Sequence, residues 1–130
     1  MNELEITDGD IINGELSQAI LDRLARDAES ITRLDLSGCA NLTTLPDLSN
    51  LTNLTELYLK GCANLSTLPD LSKLTKLMFL NLEGCRNLHF TPELIRQLAE
   101  LEERGCRIYY PRSEEHTSEL QSRYGISYAV

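Results

Sequence analysis

The chain has 130 residues, of which 42% are hydrophobic and 25% are charged, and its formal net charge is −8. A chain of this length and composition is expected to form one soluble globular domain around a single core. Its acidity disfavours nucleic acid as a partner, because acidic surfaces repel phosphate backbones. No apolar run reaches the roughly 18 residues of a membrane span, and no basic amphipathic helix favours a membrane surface.

The N-terminal segment begins MNELEITDGD, whereas a secretory signal begins with basic residues and an apolar stretch. We therefore expect the protein to stay in a cytoplasmic, reducing compartment. Leu4 and Ile6 resemble a strand, and Asn13 is predicted to cap a helix. One face of that helix carries Leu16, Ile20, Leu24 and Ala28. Residues 1–30 are thus predicted to form a capping coil and helix.

Three segments of the chain align at a step of 23 residues, beginning at Ile31, Leu54 and Leu77. They read ITRLDLSGCANLTTLPDLSNLTN, LTELYLKGCANLSTLPDLSKLTK and LMFLNLEGCRNLHFTPEL. Each places apolar residues and a cysteine in the pattern L-x-x-L-x-L-x-x-C-x-L. Because one coil cannot bury its own leucines, the pattern predicts stacked coils whose short parallel strands share a continuous core.

The chain must return along the opposite, convex side after each strand. In the first two repeats the LPDLS-x-L segments favour 3₁₀-like turns, because their leucines are spaced by three. The third return is predicted to be a helix that Thr91 caps, Pro92 starts and Gly105 ends. Ile108 and Tyr110 then supply the inward residues of another strand, so we expect about five parallel strands in all.

These repeats, with GC-x-NL and LPDLS-x-L, resemble leucine-rich repeats over residues 31–111. They are similar to the repeats of plant intracellular immune receptors and of intracellular-bacterial leucine-rich-repeat proteins, some of which are secreted effectors. The resemblance implies an α/β leucine-rich-repeat solenoid. In those families the repeats bind proteins or hold a neighbouring domain inactive, which implies a protein partner here. An effector would in addition be delivered to a host cell.

The C-terminal tail resembles the translation of a widely used sequencing-library adapter. Residues 112–122 read RSEEHTSELQS, and after three variable residues the chain ends in ISYAV, as the adapter does. We therefore predict that this tail is an artefact, that it is disordered, and that the natural protein continues beyond Pro111. The predicted organisation is a cap, the repeats and the tail: 1–30, 31–111 (31–53, 54–76 and 77–111) and 112–130.

The cysteines are the first candidates for chemistry. Cys39, Cys62 and Cys85 recur at the repeat position where a small polar group turns inward to hydrogen-bond the backbone. Paired short spacings such as C-x-x-C are absent, so no metal site or cofactor is predicted. His89 follows Cys85 by four residues, but we expect it at a convex turn, away from any nucleophile. The sequence thus predicts a protein that is not an enzyme.

The residues between the inward leucines are expected to form three columns on the concave face of the strands. The columns are Arg33, Glu56, Phe79 and Arg107; Asp35, Tyr58, Asn81 and Tyr109; and Ser37, Lys60 and Glu83. Aromatic residues and arginine are common interface anchors. We therefore predict a partner-binding patch centred on the three aromatic residues and made of Arg33, Asp35, Glu56, Tyr58, Lys60, Phe79, Asn81 and Tyr109. The alternative is that the aromatic residues only stabilise the sheet by cross-strand packing.

The predicted function is that of a monomeric protein-interaction module that binds its partner through the concave face. No small-molecule substrate, nucleic acid or membrane is predicted to bind. The alternative is the substrate-recognition half of a truncated enzyme, such as a bacterial leucine-rich-repeat ubiquitin ligase. A structural spacer is a weaker interpretation, because a spacer needs no aromatic patch on an exposed face.

Overall fold

The computed structural model describes residues 3–111, and its main feature is a parallel sheet of five strands. In chain order the elements are β1 (Glu3–Glu5), β2 (Ile11–Ile12), β3 (Glu15–Leu16), α1 (Gln18–Arg26), β4 (Arg33–Asp35), β5 (Glu56–Tyr58), β6 (Phe79–Asn81), α2 (Pro92–Glu103) and β7 (Arg107–Tyr109). The strand order β1-β4-β5-β6-β7 confirms the predicted parallel sheet. The prediction for the tail lies outside the described residues.

The sheet is in strict register from one repeat to the next. Leu34 pairs with Leu57, and Leu57 pairs with Leu80, and all three side chains are fully buried. Their neighbours on each strand are half-exposed, because alternate residues of a strand point to opposite sides. The inward leucines therefore stack into one core that runs through all the coils, as the repeat pattern predicts.

The convex side of the first two repeats consists of consecutive tight turns. The amide of Leu51 donates to the carbonyl of Leu48 at 2.9 Å, and the amide of Leu54 donates to that of Leu51 at 3.0 Å. The turn begins where the Oδ1 of Asp47 accepts a hydrogen bond from the amide of Ser49 at 2.9 Å. The second repeat makes the same bonds. The predicted 3₁₀-like spacing thus appears as separate turns, each closed by a bond across three residues.

The N-terminal cap differs from the prediction. Asn13 and Gly14 both have positive φ, at 54° and 84°, and form the two-residue turn of an antiparallel hairpin between β2 and β3. Asn13 is therefore not a helix cap, because an Asn-Gly pair is strongly suited to a hairpin turn with two such residues. Helix α1 begins later, after Ser17, and Leu16 lies in β3 and not in the helix. The apolar residues predicted for one face are nevertheless all buried: Leu16, Ile20, Leu24 and Ala28.

The hairpin joins the cap to the first repeat through a second line of hydrogen bonds. The carbonyl of Gly14 accepts from the amide of Thr43 at 2.8 Å and from its hydroxyl at 3.1 Å. The amide of Ser66 then donates to the carbonyl of Thr43 at 3.1 Å, and the amide of His89 donates to the carbonyl of Ser66 at 3.0 Å. This line connects the cap to three successive repeats at a distance from the sheet.

The last coil contains the predicted helix. The Oγ1 of Thr91 accepts a hydrogen bond from the amide of Leu94 at 3.2 Å, and Pro92 is the first helical residue. Gly105 follows the end of α2 with a φ of 100°, which a glycine adopts without strain. Tyr110 is buried, and its hydroxyl donates to Glu102 at 2.9 Å. The predicted caps of this helix are confirmed.

The repeat cysteines serve the backbone, as the sequence predicts. The Sγ atoms of Cys39, Cys62 and Cys85 donate to carbonyl oxygens of the preceding coil at 3.4, 3.2 and 3.1 Å. All the cysteines are free thiols. Among residues 3–111, no helix has the length and apolar character needed to cross a membrane.

Candidate protein-binding face

The predicted columns lie side by side on the exposed face of the sheet. Arg33 pairs with Glu56, which pairs with Phe79, which pairs with Arg107, and the neighbouring column follows the same register. Strand β1 extends both columns by one residue each, Glu3 and Glu5. The sequence prediction left out these two carboxylates, although the predicted strand at Leu4 already indicated them.

The three aromatic side chains form a continuous stack across three strands. The ring centroids of Tyr58 and Phe79 are 5.1 Å apart with planes inclined by 41°, and those of Phe79 and Tyr109 are 5.1 Å apart at 29°. Phe79 lies diagonally between the two tyrosines, because its own partners in register are Glu56 and Arg107. We call Tyr58, Phe79 and Tyr109 the aromatic stack.

The Tyr58 end of the aromatic stack is covered by side chains of the protein itself. The Cζ of Arg33 lies 4.8 Å from the centroid of the Tyr58 ring, a cation–π contact. Arg33 also pairs with Glu3 at 3.5 Å and with Glu56 at 3.8 Å. The hydroxyl of Tyr58 donates to Glu56, and this bond to a carboxylate is the main reason why the pKa of Tyr58 is raised. This end is therefore held by ion pairs within the protein, although the buried Nε of Arg33 makes no hydrogen bond.

The Tyr109 end is open. Tyr109 is 37% exposed, and Met78, directly before Phe79, is 58% exposed. Together with Ile12 they are the exposed large hydrophobic residues of the described part of the chain. The sequence analysis missed Met78, although the first two repeats have threonine at this place, Thr32 and Thr55. The replacement of threonine by methionine at this repeat position is the sequence signal that indicates Met78.

Two of the predicted patch residues have a local structural role. The Oδ1 of Asp35 accepts from the amide of Ser37 at 2.9 Å, and the Oδ1 of Asn81 accepts from the amide of Glu83 at 2.9 Å. Tyr58 stands between them in the same column, and a tyrosine cannot fold back onto the amide two residues later. The second repeat therefore has an aromatic ring where its neighbours have a side chain that stabilises the turn.

Comparison with known protein families identifies the repeated part of the chain. A family model described as leucine-rich repeats, in two copies, matches residues 29–73. Residues 29–73 carry two leucine-rich repeats. No curated protein and no solved structure matches the chain significantly. Leucine-rich repeats generally mediate protein–protein interaction and are typically non-enzymatic modules.

The leucine-rich repeats do not bring Cys85 and His89 into one accessible site. The thiol of Cys85 is buried and donates to the carbonyl of Leu59, and burial raises its pKa to about 11. The side chain of His89 is exposed on the surface. Within residues 3–111, no group of three or more histidine, cysteine or acidic side chains is arranged to hold a metal ion. The concave face thus remains the candidate site.

Proposed function

We propose that the chain binds a protein partner through the concave face of its sheet, with the aromatic stack at the centre of the interface. The observation that carries this proposal is a stack of three aromatic rings whose Tyr58 end is covered by Arg33 and whose Tyr109 end is exposed. Aromatic side chains held in place lose little conformational freedom on binding, which is why they are frequent interface anchors. Lys60 is exposed beside the stack and contributes a polar rim.

Cross-strand packing explains part of this arrangement. Each ring pair contributes about 0.5–1.5 kcal/mol to the stability of the sheet beyond burial. Sheet stability does not explain why Tyr109, at the end of the aromatic stack, remains 37% exposed, since an exposed apolar surface gains nothing from burial until something covers it. It also does not explain why Tyr58 replaces the turn-stabilising residue of its column. Both observations favour an interface.

Several features favour a monomer in a reducing compartment. The two outer strands, β1 and β7, are three residues long and carry charged side chains at Glu3, Glu5 and Arg107. Short, charged edge strands disfavour pairing with a second copy. All the cysteines are unpaired thiols, as is usual where disulfides are kept reduced. Sedimentation of the reduced chain is expected to show one monomeric species.

The test compares the full chain with two double variants as bait in affinity capture. Tyr58→Ala/Phe79→Ala removes the centre of the stack, and Lys73→Ala/Arg96→Ala changes exposed residues away from the sheet. A partner that uses the concave face is captured by the unaltered chain and by the second variant, but not by the first. Equal capture by all three, with both variants folded, would contradict the proposal.

A further inference from the structure

The concave face has an acidic end at β1. Arg33 pairs with Glu3 on one side and with Glu56 on the other, and the next column adds the carboxylates of Glu5 and Asp35, which are partners in register. Arg33 is shared between Glu3 and Glu56, so its charge is already neutralised within the protein. This end therefore presents more negative charge than its own basic side chains balance.

The loop after β1 extends this negative charge. Asp8 and Asp10 follow the strand, and Asp8 accepts a hydrogen bond from the amide of Asn41 at 3.4 Å. The pKa of Cys39 is raised mainly by burial and next by the neighbouring thiol of Cys62. The carboxylates of Asp8, Asp10 and Asp35 make smaller contributions in the same direction.

The opposite end of the face, at β6 and β7, is apolar. Tyr109, the last ring of the aromatic stack, is its exposed hydrophobic side chain. The charged residues nearby are Lys60, Glu83 and Arg107, whose formal charges sum to +1, so this end lacks the negative charge of the β1 end. The face consequently changes character along one direction, from acidic at β1 to aromatic at β7.

We infer that the partner lays across this face a segment with basic side chains over β1 and β4 and apolar side chains over β6 and β7. This inference rests on the proposed function and adds the chemistry of the partner. Charge complementarity places the basic end, because only cations lower the repulsion among the carboxylates. Burial of the open end of the aromatic stack places the apolar end.

The dimensions of the sheet limit the length of this segment. Neighbouring strands lie about 4.8 Å apart, so the distance from β1 to β7 is about 19 Å. A helix would cover that distance with about 13 residues at 1.5 Å each, and an extended segment with about six residues. The basic and apolar groups are thus separated by roughly three helical turns, or by about four extended residues.

The probe is a phage-displayed library of random peptides about 13 residues long, selected on the full chain. Enriched peptides are expected to have arginine or lysine near one end and leucine, methionine or aromatic residues near the other. Their binding should weaken severalfold when salt is raised to about 0.5 M, because exposed charges are then screened. Counter-selection on Tyr58→Ala/Phe79→Ala identifies the peptides that need the aromatic stack.

A matched pair of variants tests the acidic end. Glu3→Gln/Glu5→Gln removes two carboxylates from the face, and Glu93→Gln/Glu100→Gln removes two exposed carboxylates from α2. We expect the first variant to weaken binding of the enriched peptides by about fivefold or more, since two exposed ion pairs are lost and Arg33 is freed. The second should change binding by less than about twofold.

The outcomes separate this inference from the proposed function. Peptides that require the stack but are acidic or neutral would overturn the inference and leave the proposed function standing. Peptides that bind Tyr58→Ala/Phe79→Ala as well as the unaltered chain would contradict the proposed function itself. Failure to enrich any basic–apolar peptide would count against a linear segment as the occupant. Self-association abolished by the same double variant would assign the face to a second copy and overturn the inference.

Discussion

In each repeat a cysteine thiol donates to a carbonyl of the coil before it. The Sγ of Cys39 donates to the carbonyl of Ile6, and that of Cys62 donates to the carbonyl of Leu36, which also accepts from the backbone amide of Cys39 at 3.1 Å. A carbonyl oxygen has two lone pairs, so a small buried side chain with a weak donor adds a hydrogen bond here that a leucine could not make. The cysteines are therefore explained as parts of the fold.

We expect the native chain to resist alkylation by iodoacetamide at about pH 8. Burial raises the pKa of Cys39 and Cys62 to about 12 and that of Cys85 and Cys106 to about 11, and only the thiolate is reactive. After unfolding in urea all of them should react, as intact mass spectrometry will show. Rapid modification of any cysteine in the folded chain would contradict their burial.

The same shifts predict that alkaline pH weakens the fold. Unfolded thiols lose their proton near pH 8.5, whereas the native ones keep it to about pH 11 or 12. The folded chain thus binds more protons in this interval, so the free energy of unfolding falls as pH rises from about 8.5. Urea midpoints across the interval measure this, and Cys62→Ser should show a shallower fall. A constant midpoint would oppose the prediction.

The repeat elements follow from the sequence because every inward position is set by the same physical demand. The register of β4, β5 and β6, the caps of α2 and the two columns that lie within the strands were predicted correctly from apolar spacing and from Thr91, Pro92 and Gly105. Asn13 was misassigned, because the helical spacing of the following leucines outweighed a turn signal only two residues long.

The details of the candidate site did not follow from the sequence. Spacing placed Tyr58, Phe79 and Tyr109 on one face, but the diagonal contacts of their rings depend on side-chain rotamers and on a last coil of different length. The exposure of Met78 depends on what the next strand covers, and β7 comes from that same irregular coil. These contacts support the proposal that the face binds a protein.

Replacement of Gly14 tests the contact between the hairpin and the first repeat. At φ +84° an alanine is strained, and its Cβ would lie 2.5 Å from the Oγ1 of Thr43. We expect Gly14→Ala to lower the free energy of unfolding by about 1–3 kcal/mol. The measurement is urea denaturation followed by circular dichroism.

Two other glycines serve as controls for this variant. Gly9→Ala places a Cβ 3.6 Å from its nearest neighbour and should change stability little. Gly38 has a φ of +83° with open space around it, so Gly38→Ala reports strain without a clash. If Gly14→Ala were no worse than Gly38→Ala, the contact with Thr43 would not contribute.

As a whole the molecule is a stack in which each coil depends on its neighbours. One core runs from Leu4 in β1 to Leu101 in α2, and its stability is a sum of contacts between adjacent coils. Within the described residues the central strand β5 pairs on both sides, whereas β7 pairs only with β6. Protection from solvent should therefore decrease from the middle of the stack towards Gly105 and beyond.

Hydrogen exchange measures this gradient. The amide of Leu59 bonds to Asn81 inside the sheet, and that of Arg107 bonds to Met78 at the outer strand. We expect the Leu59 amide to exchange at least about tenfold more slowly, because opening the outer coil disrupts fewer contacts. Equal protection of the two amides would mean that the coils unfold as one unit.

The variant Phe79→Ala tests most directly whether the aromatic stack forms an interface or only stabilises the sheet. For this variant, affinity for a captured partner is measured beside the free energy of unfolding. We predict an affinity loss of about 30-fold, the effect of losing a hot-spot residue, with the stability loss confined to about 1–3 kcal/mol. An unchanged affinity in a folded variant would contradict the claim, and Phe79 would then serve the sheet alone.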